Sequence, residues 1–335
     1  MERFTLSPCR PALTIQTQSR AMTPATSQRP TPWWRRYRPD QQWEAYLFLI
    51  PSFLGFALFV VLPVLVALLL SFVNWSLLTP PEWVGIANYV QLLTRDSVFR
   101  RVMWNTLYFT VTIVPLQLIF GLMMAIALNQ AIRGVKVYRL IYFMPVVTTI
   151  VAAALIFQWM FNKDYGIISA VFWWLAGATG LPIQPPDWLN STFWAKPAVV
   201  ILTLWKNVGF TMVIYLAGLQ AIPQELYDAA EVDGAGSWAK FRFVTVPMVS
   251  PTTFFLLVIQ MIGAFQLFDE AFVMTRGGPA QATTTIVYYI YQNAFQFSRF
   301  GKASAIAWVL FAVIFVFTLI QIRLQRRWVH YEAGA

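Results

Sequence analysis

The sequence has a single cysteine, Cys9, and a single histidine, His330. A disulfide framework needs pairs of cysteines and a zinc site needs several Cys or His ligands, so neither can be assembled within this chain. Charge is scarce as well, at 11% of residues. No G-x-x-x-x-G-K-[ST] loop occurs, so nucleotide phosphates have no such cradle. There is no H-E-x-x-H, no Ser/His pair within an apolar run and no carboxylate cluster with a histidine. Asp269-Glu270 is the one adjacent carboxylate pair near an apolar run. Neighbours on a helix point about 100° apart, which suits them poorly as an acid and base. The chain reads as a non-catalytic protein, with no metal and no cofactor of its own.

What fills the chain instead is apolar: 58% of residues, with 17% aromatic. Runs free of charge cover 45–81, 102–132, 140–162, 243–268 and 303–322, and the run 197–222 is interrupted only by Lys206. Each can supply the roughly 20 residues that a hydrocarbon core requires. A barrel strand would alternate in polarity, so unbroken runs mean helices. The expected architecture is an all-α integral membrane protein with six transmembrane helices. They fall near 46–73, 106–130, 142–161, 197–219, 251–274 and 302–321, within one domain, 45–325. Residues 1–44 form a disordered basic tail and 326–335 a second, short tail. The connection 162–196 contains an apolar, Trp-rich piece at 166–177 that is too short to cross and suits an interfacial position.

The basic tail has seven Arg and no 7–15-residue apolar core, so it is not read as a signal peptide. Trp33-Trp34-Arg35-Arg36-Tyr37-Arg38 suits a membrane-interface anchor. Met22 is a possible alternative start. The formal charge of +10 raises nucleic acid as a partner, but its placement argues for topology. With the tail inside, the inside segments hold 15 Lys and Arg and the outside ones 8, so both termini are expected to be cytoplasmic. Starting at Met22 leaves 12 against 8, with the same sign. Nucleic acid is set aside, and membrane lipid is the expected surrounding.

This orientation puts residues 220–250 inside. Around them, 216–251 reads LAGLQAIPQELYDAAEVDGAGSWAKFRFVTVPMVSP, two short helices between apolar runs. Pro223 suits a first helical turn, and Gln224, Glu225 and Asp228 favour the helix N-terminus. Asp233-Gly234 is a turn pair. Ser237 can cap a second helix, expected to end near Val246 ahead of Pro247. Leu226, Ala229, Ala230 and Asp233 fall at helical spacing on one side.

Asp228-Ala229-Ala230, Asp233-Gly234-Ala235, Phe241 and Pro247 closely resemble the EAA coupling loop of inner-membrane permease subunits of ABC importers. Asp228 stands where that family usually has Glu, which keeps the charge and shortens the reach. The resemblance covers about 45–325. The segment FQLFDEAFVMTRGGP at 265–279 narrows it to the carbohydrate branch, of the maltose and glycerol-3-phosphate type. That branch usually reads T-G-G-G-P where this chain has Thr275-Arg276-Gly277-Gly278-Pro279. The resemblance implies the type I permease fold and a subunit that forms half of a translocation path for a sugar or sugar-like solute. It implies as partners a second permease subunit, two ATPase subunits that carry ATP and Mg, and an extracytoplasmic solute-binding protein. It assigns ATPase coupling to Glu225, Asp228, Ala229, Ala230, Asp233, Gly234, Ala235, Phe241 and Pro247.

Polar residues in the spans are the candidates for the solute path. Lys206 sits mid-span, where a cation costs at least about 2.5 kcal/mol, so it either lines a polar path, pairs with a carboxylate or snorkels. Asn207 follows it. Gln260, Phe265, Gln266 and Asp269 suit a sugar site, because amides and carboxylates bond hydroxyls and aromatic faces pack on C–H surfaces. Gln260 and Gln266 can equally bond neighbouring helices. A secondary transporter, which would need no ATPase partner, and a membrane enzyme remain the rival classes.

Overall fold

The computed structural model describes residues 43–76, 80–130, 133–182 and 184–329, with side chains from Tyr46 onward. Cys9, the Trp33–Arg38 anchor and His330 lie outside them. The chain divides into two compact units, Met1–Val61 and Leu62–Ala335. The division falls within the first apolar helical stretch.

In the first unit, α1 (Trp43–Phe56) leads into a five-residue π turn, Ala57–Val61. Every residue from 46 to 61 is exposed apart from half-buried Gly55. A helix that is apolar all round and bare of protein neighbours is suited to lipid.

The second unit begins with α2 (Leu62–Ser71), followed by a two-residue antiparallel pairing of β1 (Val73–Asn74) with β2 (Glu82–Trp83). Then come α3 (Ala87–Thr94), α4 (Ser97–Leu128), α5 (Val135–Val147), α6 (Ile150–Met160), α7 (Ile167–Thr179) and α8 (Ala195–Gln220). The chain continues with α9 (Gln224–Val232), α10 (Ser237–Lys240), α11 (Val246–Met248), α12 (Ser250–Phe265), α13 (Asp269–Thr275), α14 (Ile286–Tyr291) and α15 (Phe300–Trp328). Four helical stretches are long and apolar enough to cross a membrane: Tyr46–Ser71, α4, α8 and α15. Two bent pairs, α5 with α6 and Ser237–Met248 with α12, raise the number of candidate spans among the described residues to six if each pair counts as one span.

Several expected boundaries move. Helix α4 starts nine residues before 106, because Asp96 caps it: its carboxylate accepts the Phe99 N–H at 2.9 Å. The span expected at 142–161 is two helices that meet at 96°. Pro145 precedes the break, and Thr148 and Thr149 adopt extended backbone there. The span expected at 251–274 stops at Phe265, and α13 is a separate helix. Helix α15 runs on to Trp328, through the first residues of the expected tail 326–335.

Three clusters of buried side chains hold the second unit together. Phe109, Ile113, Ala154, Phe157, Leu202 and Met274 join α4, α6, α8 and α13. Ala125, Met212, Tyr215, Leu219 and Leu256 join α4, α8 and α12 toward the α9 end. Leu92, Phe99, Phe265, Ile286 and Ile306 join α3, α4, α12, α14 and α15. Helix α5 crosses α8 at Gly209, where a Cβ would overlap the carbonyl oxygen of Tyr142. Only a residue without a side chain allows that approach. Gly209→Val is therefore expected to destabilise the fold by about 1–3 kcal/mol through overpacking. Gly177→Ala, at a position open to solvent or lipid, is the matched control. Thermal unfolding of the two purified variants in one detergent checks this: a Gly209→Val midpoint equal to the control would disprove it.

At the end opposite α9, the loop 276–285 is pinned to α4. Asn105 donates to the carbonyls of Gln281 (2.8 Å) and Thr284 (3.1 Å), and the Ile286 N–H donates to the Thr106 hydroxyl at 2.9 Å. Asp96 also ion-pairs with Lys302 at 2.7 Å and accepts the Tyr289 hydroxyl at 2.8 Å. One carboxylate thus joins the starts of α4 and α15 to α14.

Candidate functional site

Two features stand apart from routine helix packing. One is a cavity where α12 breaks; the other is a hairpin that projects from the opposite end of the same helical run.

The break follows from local chain geometry. At Gln266 the helical hydrogen bonding tightens, with its N–H shared between the carbonyls of Ile262 and Gly263. Phe268 then leaves helical geometry at φ −137°, ψ −60°. The Leu267 carbonyl, freed from the helix, accepts the Thr285 hydroxyl at 2.6 Å. Buried backbone polar groups need such partners, so the break is stable only with that threonine beneath it. Beside it lies a cavity of ≈ 340 Å³. Gln117 of α4, Asn207 and Phe210 of α8, Gln260 of α12, Gln266 and Phe268 in the break, and Asp269 and Glu270 of α13 supply its functional groups. Broken helices that bound a polar cavity are a recurrent form of membrane binding site.

Of the six residues expected on a solute path, four line this cavity: Asn207, Gln260, Gln266 and Asp269. Gln260 also donates to the Thr211 hydroxyl at 2.8 Å, so it serves helix packing as well. Phe265 does not line it. It is 1% exposed and packs on Phe317, because the last turn of α12 directs it toward α15. Lys206 does not line it either. Its ammonium donates to the carbonyls of Thr148 (2.8 Å) and Val146 (3.3 Å). Carbonyls at a helix C-terminus have no partner within the helix, and a cation is favoured there. Lys206 therefore caps α5 at its break, a role the sequence alternatives did not include. Lys206→Met is expected to lower thermal stability and solute uptake together. Normal stability with impaired uptake would instead place Lys206 in the path.

Gln117 and Glu270 were missed as lining residues. A glutamine mid-span in α4 and a second carboxylate beside Asp269 were the available signals.

The hairpin is built on one glycine. Helix α9 ends at Asp233, and Gly234 takes φ +77°. The Ala235 N–H reaches the Ala230 carbonyl at 2.8 Å, and the Gly234 N–H the Glu231 carbonyl at 3.0 Å. This pair of bonds is the Schellman motif, which needs a left-handed residue where Gly234 stands. Pro223 precedes α9 as its N-cap, one residue earlier than expected, and Gly236 takes the cap position expected for Ser237.

The second arm also differs from expectation. It passes through Pro247 to Met248, by way of a π turn at Phe241–Thr245. A proline lacks the N–H of a helical bond and crowds the carbonyl four residues back, and a wider turn relieves both. Lys240 bonds Glu231 at 2.6 Å, and the Tyr227 and Thr245 hydroxyls meet at 3.0 Å, which ties the arms together.

Outward from the hairpin, Glu225, Asp228, Ala229 and Val232 form an exposed stripe at i, i+3, i+4 and i+7. Asp233 and Gly234 are exposed too, while Ala230, Ala235, Phe241 and Pro247 are half-buried and shape the hairpin from within. Val232 (88%), Trp238 (73%) and Phe243 (75%) add large exposed apolar surface that the motif residues did not include.

A family model described as "Binding-protein-dependent transport system inner membrane component" matches residues 117–330, which take in both features. The chain belongs to this family. It is a multi-pass inner-membrane permease subunit of a binding-protein-dependent importer, not a catalytic chain. The permease is 36% identical over 284 residues to the sulfoquinovosyl glycerol transport system permease protein SmoG of Agrobacterium fabrum, covering 84% of this chain and 90% of that protein. It is 34% identical over 291 residues to the lactose transport system permease protein LacF of Rhizobium radiobacter, with 86% and 94% covered. Among solved structures, a chain of a bacterial ABC transporter that imports the acidic polysaccharide alginate superposes with a TM-score of 0.74. The two share 25% identity, over 88% of this permease and 98% of that chain. The permease has the type I importer fold.

Proposed function

We propose that this permease forms half of the translocation path for a sugar or sugar-like solute, and that its hairpin couples the path to ATP hydrolysis in partner subunits. The observation that carries this reading is the cavity at the α12 break. Amides of Gln117, Asn207, Gln260 and Gln266 line it with the rings of Phe210 and Phe268. Hydroxyls bond amides, and ring C–H faces pack on aromatics. The names of the relatives, which include lactose and sulfoquinovosyl glycerol transport, support the same class.

In this reading the α9 hairpin is cytoplasmic and docks into an ATPase subunit through Glu225, Asp228, Ala229, Asp233 and Gly234. Ala230, Ala235, Phe241 and Pro247 keep it in shape. ATP and Mg belong to two ATPase subunits, the other half of the cavity to a second permease, and delivery to an external solute-binding protein. Closure of the ATPase pair draws the hairpins together. Helix α12 carries that motion to the cavity, its 16 residues spanning about 24 Å. Affinity purification of the tagged permease in mild detergent tests the assembly. A second permease and an ATPase are expected to come with it. A chain that purifies alone and drives solute uptake in ATP-free vesicles would refute it.

A further inference from the structure

Family membership leaves the charge of the solute open, since relatives are named for lactose and for an acidic polysaccharide. We propose that this cavity selects a neutral or cationic polyhydroxylated solute and turns away anionic sugars. The inference rests on the reading of the cavity as part of the solute path.

The charges that face the cavity are negative. Asp269 and Glu270 both line it, and no Lys or Arg is among its described lining residues. The nearest cation acting on Glu270 is Lys206. Its ammonium bonds the Val146 and Thr148 carbonyls, and it is not among the residues that line the cavity. Two carboxyl groups against one cation leave an excess of one acidic group at the cavity. At a cavity wall within the membrane such a charge acts strongly on a solute.

A second observation is independent of charge. Gln117 lines the cavity and is 1% exposed, and its buried side-chain oxygen has no hydrogen-bond partner. Its amide nitrogen is 3.5 Å from the Thr203 carbonyl, at the outer limit of a bond. A buried acceptor without a donor is costly, and a hydroxyl or ammonium hydrogen of a solute supplies one. An ionised carboxylate accepts only, so Asp269 asks for the same donors. Sulfonate, phosphate or uronate oxygens bring none.

Charged thiol reagents read this field without knowledge of the solute. In a Cys9→Ser background, Gln266→Cys places a thiol on the cavity wall. The complete importer, purified in detergent so that both faces are open, is treated with trimethylammonioethyl methanethiosulfonate or sulfonatoethyl methanethiosulfonate. Each rate is divided by the rate for a small free thiol. The cationic reagent is expected to react about tenfold faster or more. Asp269→Asn with Glu270→Gln should bring the ratio toward one, and Asn207→Cys provides a second reporter in case that variant does not assemble. Equal rates, a faster anion, or a ratio unmoved by removal of the carboxylates would overturn the charge inference and leave the cavity in place. A thiol that reacts with neither reagent at both positions would overturn the solute-path reading and this inference with it.

Discussion

Gly234→Pro together with Asp228→Lys is expected to reduce solute-stimulated ATP hydrolysis by the reconstituted importer at least about tenfold, while the permease still inserts and folds. Proline fixes φ near −65° where the chain needs +77°, and it deletes the N–H bonded to the Glu231 carbonyl. The Schellman motif is lost, and with it the direction in which the chain leaves α9. Nothing lies within 4 Å of a Cβ built at Gly234, so the damage is conformational and local. Asp228→Lys reverses a charge on the exposed stripe and breaks its bond from Gln224. A central docking residue typically contributes 2 kcal/mol or more, which exceeds a tenfold loss of affinity. Wild-type stimulation in the double variant would show that the hairpin is not the coupling element. Trp238, whose ring also packs on Phe241, and Phe243 offer a second arm, since both rings are largely exposed.

The second large effect is expected at Asp96. Its side chain is 8% exposed and that of Lys302 18%. Burial pushes the Asp96 carboxyl up, but hydrogen bonds from Lys302, the Phe99 N–H and the Tyr289 hydroxyl, with the charge of Lys302, outweigh it and hold it below its ordinary value. Asp96→Ala leaves the Lys302 ammonium without its counter-ion and the Tyr289 hydroxyl without its acceptor, and removes the cap of α4. Removal of one partner of a buried pair costs about 3–5 kcal/mol. A large fall in the unfolding midpoint in detergent is the expected result. Asp96→Ala combined with Lys302→Met should recover much of it, since no charge is then left unpaired. The sign of the pH effect follows from the lowered carboxyl. Its stabilisation is present above the ordinary carboxylate range and is lost as pH falls through the depressed folded value, below about 4. Stability of Asp96→Ala equal to that of the unaltered chain at neutral pH would refute the assignment.

Much of the cavity was legible as residue types but not as an arrangement. Asn207, Gln260, Gln266 and Asp269 are polar groups in apolar runs, and the cost of placing them there points to function or pairing. Phe265 sits in the same stretch and belongs to the core: its neighbours Ala264 and Gln266 line the cavity, and successive helix positions point about 100° apart. Gln117 looked like any mid-span amide until α8 placed Thr203 beside it. At the hairpin, Asp233-Gly234 announced the turn. The exposed Val232, Trp238 and Phe243 could not be told from membrane-facing apolar residues by composition.

The sequence alone determined that this is a helical membrane protein and marked the hairpin segment between two apolar runs, and it led to the expectation of an inward-facing hairpin and an energy source in another chain. Those conclusions follow from local quantities: run length against bilayer thickness, Lys and Arg placement, and a glycine after an acidic helix. Only the tertiary structure decided where spans break and what lines the gap. A break requires partners for freed backbone groups, and those partners come from far along the chain: Lys206 for the carbonyls at 146 and 148, Thr285 for Leu267. These separations, 18 residues for Thr285 and 58 or 60 for Lys206, exceed the one or two turns over which helical periodicity can be read.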